Sequence, residues 1–272
     1  MHGLGNDYVF VDCLEKMPEQ PQRLAREISV RHYSVGADGL ILICPSQVAD
    51  FRMKMYNADG SVGQMCGNGI RCLGKYVYEH GRTDRKELTV ETDAGIRRLV
   101  LKEENGKVES VEVDMGIPEF DPEKIPVRGV VEPLVQREIS VADRIFPVTC
   151  LSMGNPHCVV FVEDTEQFEV LRYGPLLERH ELFPDRINVE FVQVMAPDRI
   201  RMRVWERGSG ETCACGTGAC ASVAAAYVNG LCTRKVTVSL RGGELQVYWS
   251  EEDSHIYMTG PAVEVYTGSY EQ

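Results

Sequence analysis

Short apolar runs separated by glycine- and proline-marked breaks dominate the chain. YVFVDC (Tyr8 to Cys13), LILIC (Leu40 to Cys44) and FRMKMY (Phe51 to Tyr56) have the length and make-up of strands. In the last of these, Phe51, Met53 and Met55 share one face. A glycine turn, MCGNGIRC (Met65 to Cys72), then opens a helix predicted from Gly67 to His80, with Gly81 closing it. LTVET, IRRLVLK and KVESVEVDM follow as strands. The second part of the chain repeats that order. HCVVFV, NVEFVQV and RIRMRVW precede a turn in ACGTGACA (Ala214 to Ala221), and a helix runs to Asn229 with Gly230 behind it. KVTVSL, ELQVYW and HIYMTG complete it. Before the middle strands of each half lies an amphipathic helix, PQRLAREI in the first and LRYGPLLERH in the second.

The likeness has a single register. A shift of 149 positions (215 − 66) lays Cys66 on Cys215, Gly67 on Gly216, Asn68 on Thr217 and Gly69 on Gly218. The same shift aligns Gly5-Asn6 with Gly154-Asn155, Tyr56-Asn57 with Trp205-Glu206, Tyr78 with Tyr227 and Gly81 with Gly230, without a gap. Agreement of several separate clusters in one frame implies internal duplication. The helix GACASVAAAYV is small and apolar nearly all round, so it is expected to be buried on every side. About seven strands per half around such a helix predict a barrel-like sheet enclosing it. The expected class is therefore α+β: two homologous domains, each a mixed or antiparallel β-barrel around a central helix, related by a pseudo-twofold axis. Prolines at 118, 122, 126, 133 and 147 mark a break, and the boundary is placed near its start. This gives domains 1–117 and 118–272, with the last ten or so residues returning to the first.

Composition narrows the function. The net charge of −12 argues against nucleic acid and anionic membrane surfaces as partners. No apolar run is long enough to cross a bilayer, and MHGLGND lacks the features of a signal peptide, so a cytoplasmic location is expected. The ten cysteines fit neither a disulfide framework nor a zinc site, since their close spacings are Cys213-x-Cys215, Cys215-x4-Cys220 and Cys66-x5-Cys72. Most are read as buried small apolar residues, Cys72 and Cys220 as helix packing, and Tyr78 and Tyr227 as core.

Cys66 and Cys215 are different. A cysteine at a helix start meets unpaired N–H groups and the positive end of the helix dipole, which favour the thiolate and predict a lowered pKa. The same N–H groups suit a carboxylate. Two such thiols, brought opposite one another by a pseudo-twofold, would suit racemisation or epimerisation of a carbon acid: one thiolate takes a proton from one face, and the other thiol returns one to the opposite face. The helix starts would stabilise the developing negative charge, with no electron-sink cofactor. Neither a phosphate loop nor a dinucleotide fingerprint is present, and no metal is expected.

HGLGNDY, YNADGS, MCGNGIRC, SMGNPHC, FPDRINVEF and WERGSGETCACGTGA together resemble the diaminopimelate epimerase family over nearly the whole chain. The resemblance implies two barrel domains with the site in the cleft, a cofactor-independent LL-to-meso interconversion serving lysine and peptidoglycan precursor synthesis, and a homodimer. It also implies roles by position. Cys66 and Cys215 match the acid–base pair; Cys213 does not. Backbone N–H groups of Gly67, Asn68, Gly216 and Thr217 would hold the reacting carboxylate. Asn6, Asn57, Asn155 and Asn188 would be polar substrate contacts. Arg207 would pair with the distal carboxylate and Glu206 with an ammonium, both needing a place where their strand ends. His157 and Glu206 would influence a cysteine's protonation. Two departures stand out: the family has a short strand before MHGLGN, and some members carry Gln at the position of Gly39. The alternative is a proline or hydroxyproline racemase of the same fold, whose first turn reads MCGHG where this chain has Asn68. A phenazine-type isomerase shares the architecture but lacks the cysteine pair.

Overall fold

The computed structural model describes residues 1–271. The chain forms two compact units, Met1–Asp114 together with the segment from Thr259, and Met115–Met258.

In the first unit the strands are β1 (His2–Gly3), β2 (Asn6–Asp12), β3 (Gly39–Cys44), β4 (Phe51–Asn57), β5 (Val62–Gly63), β6 (Glu87–Thr92), β7 (Gly95–Glu104) and β8 (Lys107–Asp114). Its helices are α1 (Pro21–Ile28) and α2 (Gly67–Glu79). Strand β2 pairs in parallel with β3, which pairs antiparallel with β4; β4 pairs in parallel with β6, and β6, β7 and β8 continue antiparallel. Both faces of β3 are covered, which is why LILIC reads as an unbroken apolar run. Leu24, Ala25 and Ile28 of α1 pack with Leu40, Leu42 and Cys44. Ile41, pointing the other way, meets α2 so closely that a Cβ on Gly69 would stand 2.4 Å from its Cδ1. Strand β1 pairs antiparallel with β2, and His2 also bridges to Val263 of the returning C-terminal segment.

The second unit contains β9 (Arg137–Val141), β10 (Arg144–Ser152), β11 (Pro156–Phe161), α3 (Val170–Glu178), β12 (Asn188–Ala196), β13 (Arg199–Glu206), β14 (Gly210–Thr212), α4 (Gly216–Val228), β15 (Lys235–Leu240) and β16 (Gly243–Trp249). In β17 (Ile256–Gly260) the chain passes back to the first unit. The pairing pattern repeats: β11–β12 parallel, β12–β13 antiparallel, β13–β15 parallel, β15–β16 antiparallel. Even the register repeats, since Tyr8 lies opposite Gly39 and His157, 149 positions on, lies opposite Asn188. Helix α4 is buried from Gly218 to Ala226, with β10, β11, β12, β13, β15 and β16 all packed on it. Its small side chains are what let six strands approach one helix.

The proline-marked stretch holds more structure than its composition suggests. The hairpin β9–β10 lies partly within it, and Pro147 sits in β10 opposite Glu138. Pro147 lies one residue outside the β10–β11 ladder, which starts at Val148, so that ladder does not call on the N–H a proline lacks. Cys72 and Cys220 are buried, whereas Tyr78 and Tyr227 are only half-buried. Tyr227 instead supports Trp249 edge-on at 5.4 Å and lies under Arg234. No helix among the described residues is long and apolar enough to cross a membrane.

Candidate active site

Both repeated cysteines are helix N-caps. Cys66 has extended backbone (φ −133°, ψ 115°), and its Sγ accepts the N–H of Gly69 at 3.3 Å. Cys215 does the same (φ −124°, ψ 114°), accepting from Gly218 at 3.4 Å. Each sulfur therefore occupies the place a serine or aspartate oxygen takes in an ordinary cap. A Cβ at the glycine three residues on would press the tip of a strand side chain, Ile41 Cδ1 at 2.4 Å from Gly69 and Glu190 Oε1 at 2.7 Å from Gly218.

Around Cys66 the first unit gathers Asn6, Asn68 and Tyr8. Cys66 Sγ and Asn68 Nδ2 both approach Asn6 Oδ1 at 3.3 Å, and Asn6 Nδ2 donates to Asp38 at 2.8 Å. Asn68 is in turn held by the fully buried Arg71, which donates to Asn68 Oδ1 (2.9 Å), Gly67 O (3.0 Å) and Pro261 O (3.2 Å). The Tyr8 phenol faces Cys66, and burial together with that sulfur pushes it well above its ordinary value, so it stays neutral. Asn57, at the end of β4, donates its amide to Ser61 Oγ at 2.9 Å.

Around Cys215 the second unit gathers Asn155, His157, Glu190, Glu206 and Thr217. Thr217 Oγ1 is 3.4 Å from Cys215 Sγ and accepts Asn155 Nδ2 at 3.3 Å. His157 lies between Asn155 Oδ1 (3.0 Å) and Glu190 Oε1 (2.7 Å), and both His157 and Glu190 are fully buried. Glu206 accepts from the Thr212 hydroxyl and lies near Cys215, and burial raises its pKa. At Cys215 the thiol pKa is raised, not lowered as the helix start alone predicts. Burial and then the carboxylates of Glu206 and Glu190 push Cys215 well up, while Thr217 and the Gly218 N–H oppose them in part. A helix start stabilises a thiolate less than a dry pocket with two carboxylates disfavours it.

Glu206 is the last residue of β13, and Arg207 opens the turn that follows, so the two adjacent side chains escape the strict alternation of a strand. The turn is fastened from behind. Asn188 Oδ1 accepts Arg207 N (2.9 Å) while its amide donates to Pro156 O (3.0 Å), and Glu178 accepts Gly208 N (3.1 Å) and Trp205 Nε1 (2.8 Å). Arg207 itself donates to Asp185 O at 3.1 Å. Cys213 is exposed and is not a cap.

Sequence reading did not single out Tyr8, Arg71, Glu178 or Glu190. For Glu190 a signal existed: in the 149-residue register it replaces Ile41, putting a charge where the first copy has a core residue.

A model of the diaminopimelate epimerase family matches residues 1–120 and 149–265. A diaminopimelate epimerase of Moorella thermoacetica is 53% identical over 271 residues, covering 99% of this chain and 97% of the relative. One from Methanococcus maripaludis strain C5 is 51% identical over 268 residues, covering 98% and 97%. Among solved structures, a probable proline racemase from Agrobacterium radiobacter K84 superposes with a TM-score of 0.71 at 17% identity, covering 96% of this chain and 88% of that one. A PhzF-family phenazine biosynthesis protein from Bacillus anthracis gives 0.67 at 19%, covering 96% and 92%. Likeness at that level of identity speaks for the fold alone.

Proposed function

The chain belongs to the diaminopimelate epimerase family, and from that premise we propose that Cys66 and Cys215 are the two groups that exchange a proton with the α-carbon of diaminopimelate. The activity is interconversion of the LL and meso forms, a step in lysine and peptidoglycan precursor synthesis, and the substrate is a small molecule. In one direction a cysteine thiolate removes the α-proton while the other thiol delivers one to the opposite face; in the reverse direction the roles exchange. The observation that carries this reading is the duplicated cap, with each sulfur at the start of a buried helix and each accepting the N–H three residues on.

The remaining roles follow from the chemistry of each group. N–H groups of Gly67, Asn68, Gly216 and Thr217 offer donors for the reacting carboxylate, whose oxygens take up charge as the proton leaves. Asn6 and Asn155 stand beside those helix starts, and Asn57 lies at the end of β4. The Arg207 guanidinium suits the distal carboxylate, Glu206 suits an ammonium, and Asn188 serves by holding the Arg207 backbone. A cytoplasmic homodimer without nucleic-acid partners completes the reading, and proline-type racemisation is not favoured.

The test is α-proton exchange in deuterated water with LL-diaminopimelate, with L-proline as the comparison. Wild type is expected to exchange and epimerise diaminopimelate only. Cys66→Ala and Cys215→Ala are each expected to lose epimerisation. Full epimerisation by either variant, or exchange into proline alone, would refute the assignment.

A further inference from the structure

Besides Asn68/Thr217 and Asn57/Glu206, the duplicated scaffold differs between its copies at a neighbouring pair of strand positions beside the caps. The first copy has Tyr8 and Ile41; the second has His157 and Glu190 at the same register. Ile41 packs on Gly69 as a core side chain should, whereas the Glu190 carboxylate packs on Gly218, its Oε1 only 2.7 Å from where a Cβ would be. Glu190 is fully buried, and its Oε2 has no hydrogen-bond partner among the described residues. An ionisable group placed this way is costly for folding and calls for a compensating role.

The asparagines beside the caps are also turned in opposite senses. Asn6 donates its amide to Asp38 and shows its oxygen to Cys66. Asn155 accepts at its oxygen from His157 and donates its amide to Thr217. His157 has an oxygen acceptor on both ring nitrogens, Glu190 Oε1 and Asn155 Oδ1, an arrangement satisfied only when both nitrogens carry protons. Resting on the two-thiol reading above, we propose that Glu190 is a positioning residue that holds His157 as a double donor and so sets the direction of a relay, Glu190–His157–Asn155–Thr217–Cys215, whose last link points the Thr217 hydroxyl at the Cys215 sulfur.

Each link constrains the next. His157 Nε2–H donates to Asn155 Oδ1, which turns the Asn155 amide toward Thr217. Thr217 Oγ1, already accepting, directs its own proton to Cys215 Sγ at 3.4 Å. Together with the Gly218 N–H, this supplies two donors to a sulfur that burial and carboxylates would otherwise keep protonated. The groups facing Glu190 are His157 and Cys158 on β11, Glu206 on β13, and Cys215 and Gly218 at the start of α4. The buried imidazolium–carboxylate pair is neutral as a unit. Replacing Glu190 by Gln leaves a neutral pair as well, but with a single ring proton held at Nδ1. Asn155 must then turn its amide to Nε2 and its oxygen to Thr217, and Thr217 no longer donates to Cys215.

The experiment compares Glu190→Gln, Thr217→Val, their double variant and Thr217→Ser. It measures kcat and KM for diaminopimelate, and separately the alkylation rate of Cys215 by iodoacetamide, mapped by peptide mass, with Cys66 as internal reference. Glu190→Gln and Thr217→Val are each expected to lower kcat and Cys215 alkylation about tenfold, the worth of one hydrogen bond, with KM little moved. The double variant is expected to be no worse than either single, and Thr217→Ser, which keeps the hydroxyl, to recover the Cys215 alkylation that Thr217→Val loses. Multiplicative losses in the double variant, or wild-type Cys215 alkylation in Glu190→Gln, would overturn the relay. Should Glu190→Gln fail to fold by circular dichroism, wild-type alkylation in Thr217→Val overturns it equally. The alkylation arm reads the relay even if Cys215→Ala proves active, an outcome that would sink the two-thiol reading instead.

Discussion

Tyr8 and Gly39 lie directly opposite in the parallel pair β2–β3, and the tyrosine ring occupies the space a side chain at position 39 would need. A Cβ on Gly39 would stand 3.0 Å from Tyr8 Cε1 and 2.2 Å from the carbonyl oxygen of Tyr56. The glutamine that some family members carry here therefore has no room in this chain. The polar group on this side of Cys66 is the Tyr8 hydroxyl.

Gly39→Gln is accordingly expected to destabilise the first unit by roughly 1–3 kcal/mol, because the backbone of β4 must move to relieve the contact. It should also displace Tyr8 from Cys66 and reduce epimerisation. Urea denaturation and a rate assay check both. An unchanged midpoint would show that β4 yields freely.

Arg71 ties three things together: the start of α2, the Asn68 side chain and the returning C-terminal segment at Pro261. Lysine offers one ammonium where a planar fork now reaches three oxygens. Arg71→Lys is expected to cost about 2–3 kcal/mol through unpaired buried acceptors. Limited proteolysis should report earlier cleavage in the segment after Thr259, and epimerisation should fall as Asn68 loosens.

Glu178 fastens the turn that carries Arg207, through Gly208 N and Trp205 Nε1. In Glu178→Gln one carboxylate acceptor becomes an amide donor facing an N–H. The expected result is a KM for diaminopimelate raised several-fold, roughly the cost of one mispaired hydrogen bond, with a smaller change in kcat. Steady-state kinetics decide it, and a pure kcat effect would contradict the role given to the turn.

Alkaline stability follows from the buried thiols. Burial pushes Cys72 up to about 12. An unfolded cysteine ionises at about 8.5. A folded pKa above the unfolded one means that the folded state holds the proton more tightly, so the contribution is full below about pH 8.5 and is lost as pH rises toward 12. Urea midpoints for wild type should fall steeply between about pH 8.5 and 11, measured under reducing conditions. Cys72→Ala should show a shallower fall, even if less stable at neutral pH.

The duplicated plan, the two cysteine-headed helices and the all-round apolar character of α4 were legible in the residues, because helix starts, strand alternation and repeat register are matters of local spacing. Glu206 and Arg207 could be placed at a strand end because the family resemblance asks both of these adjacent side chains to reach the ligand. What tertiary structure decided is which partner each polar group met. Glu190 meets His157 across 33 residues and Arg71 meets Pro261 across 190, while Asn6 and Asn155, equivalent in the repeat, are turned opposite ways by Asp38 and His157. Strand pairing brings such groups together, and the surrounding burial then outweighs the helix dipole at Cys215. Local spacing therefore marked the two sulfurs, and long-range packing determined the hydrogen bonds and charges around each.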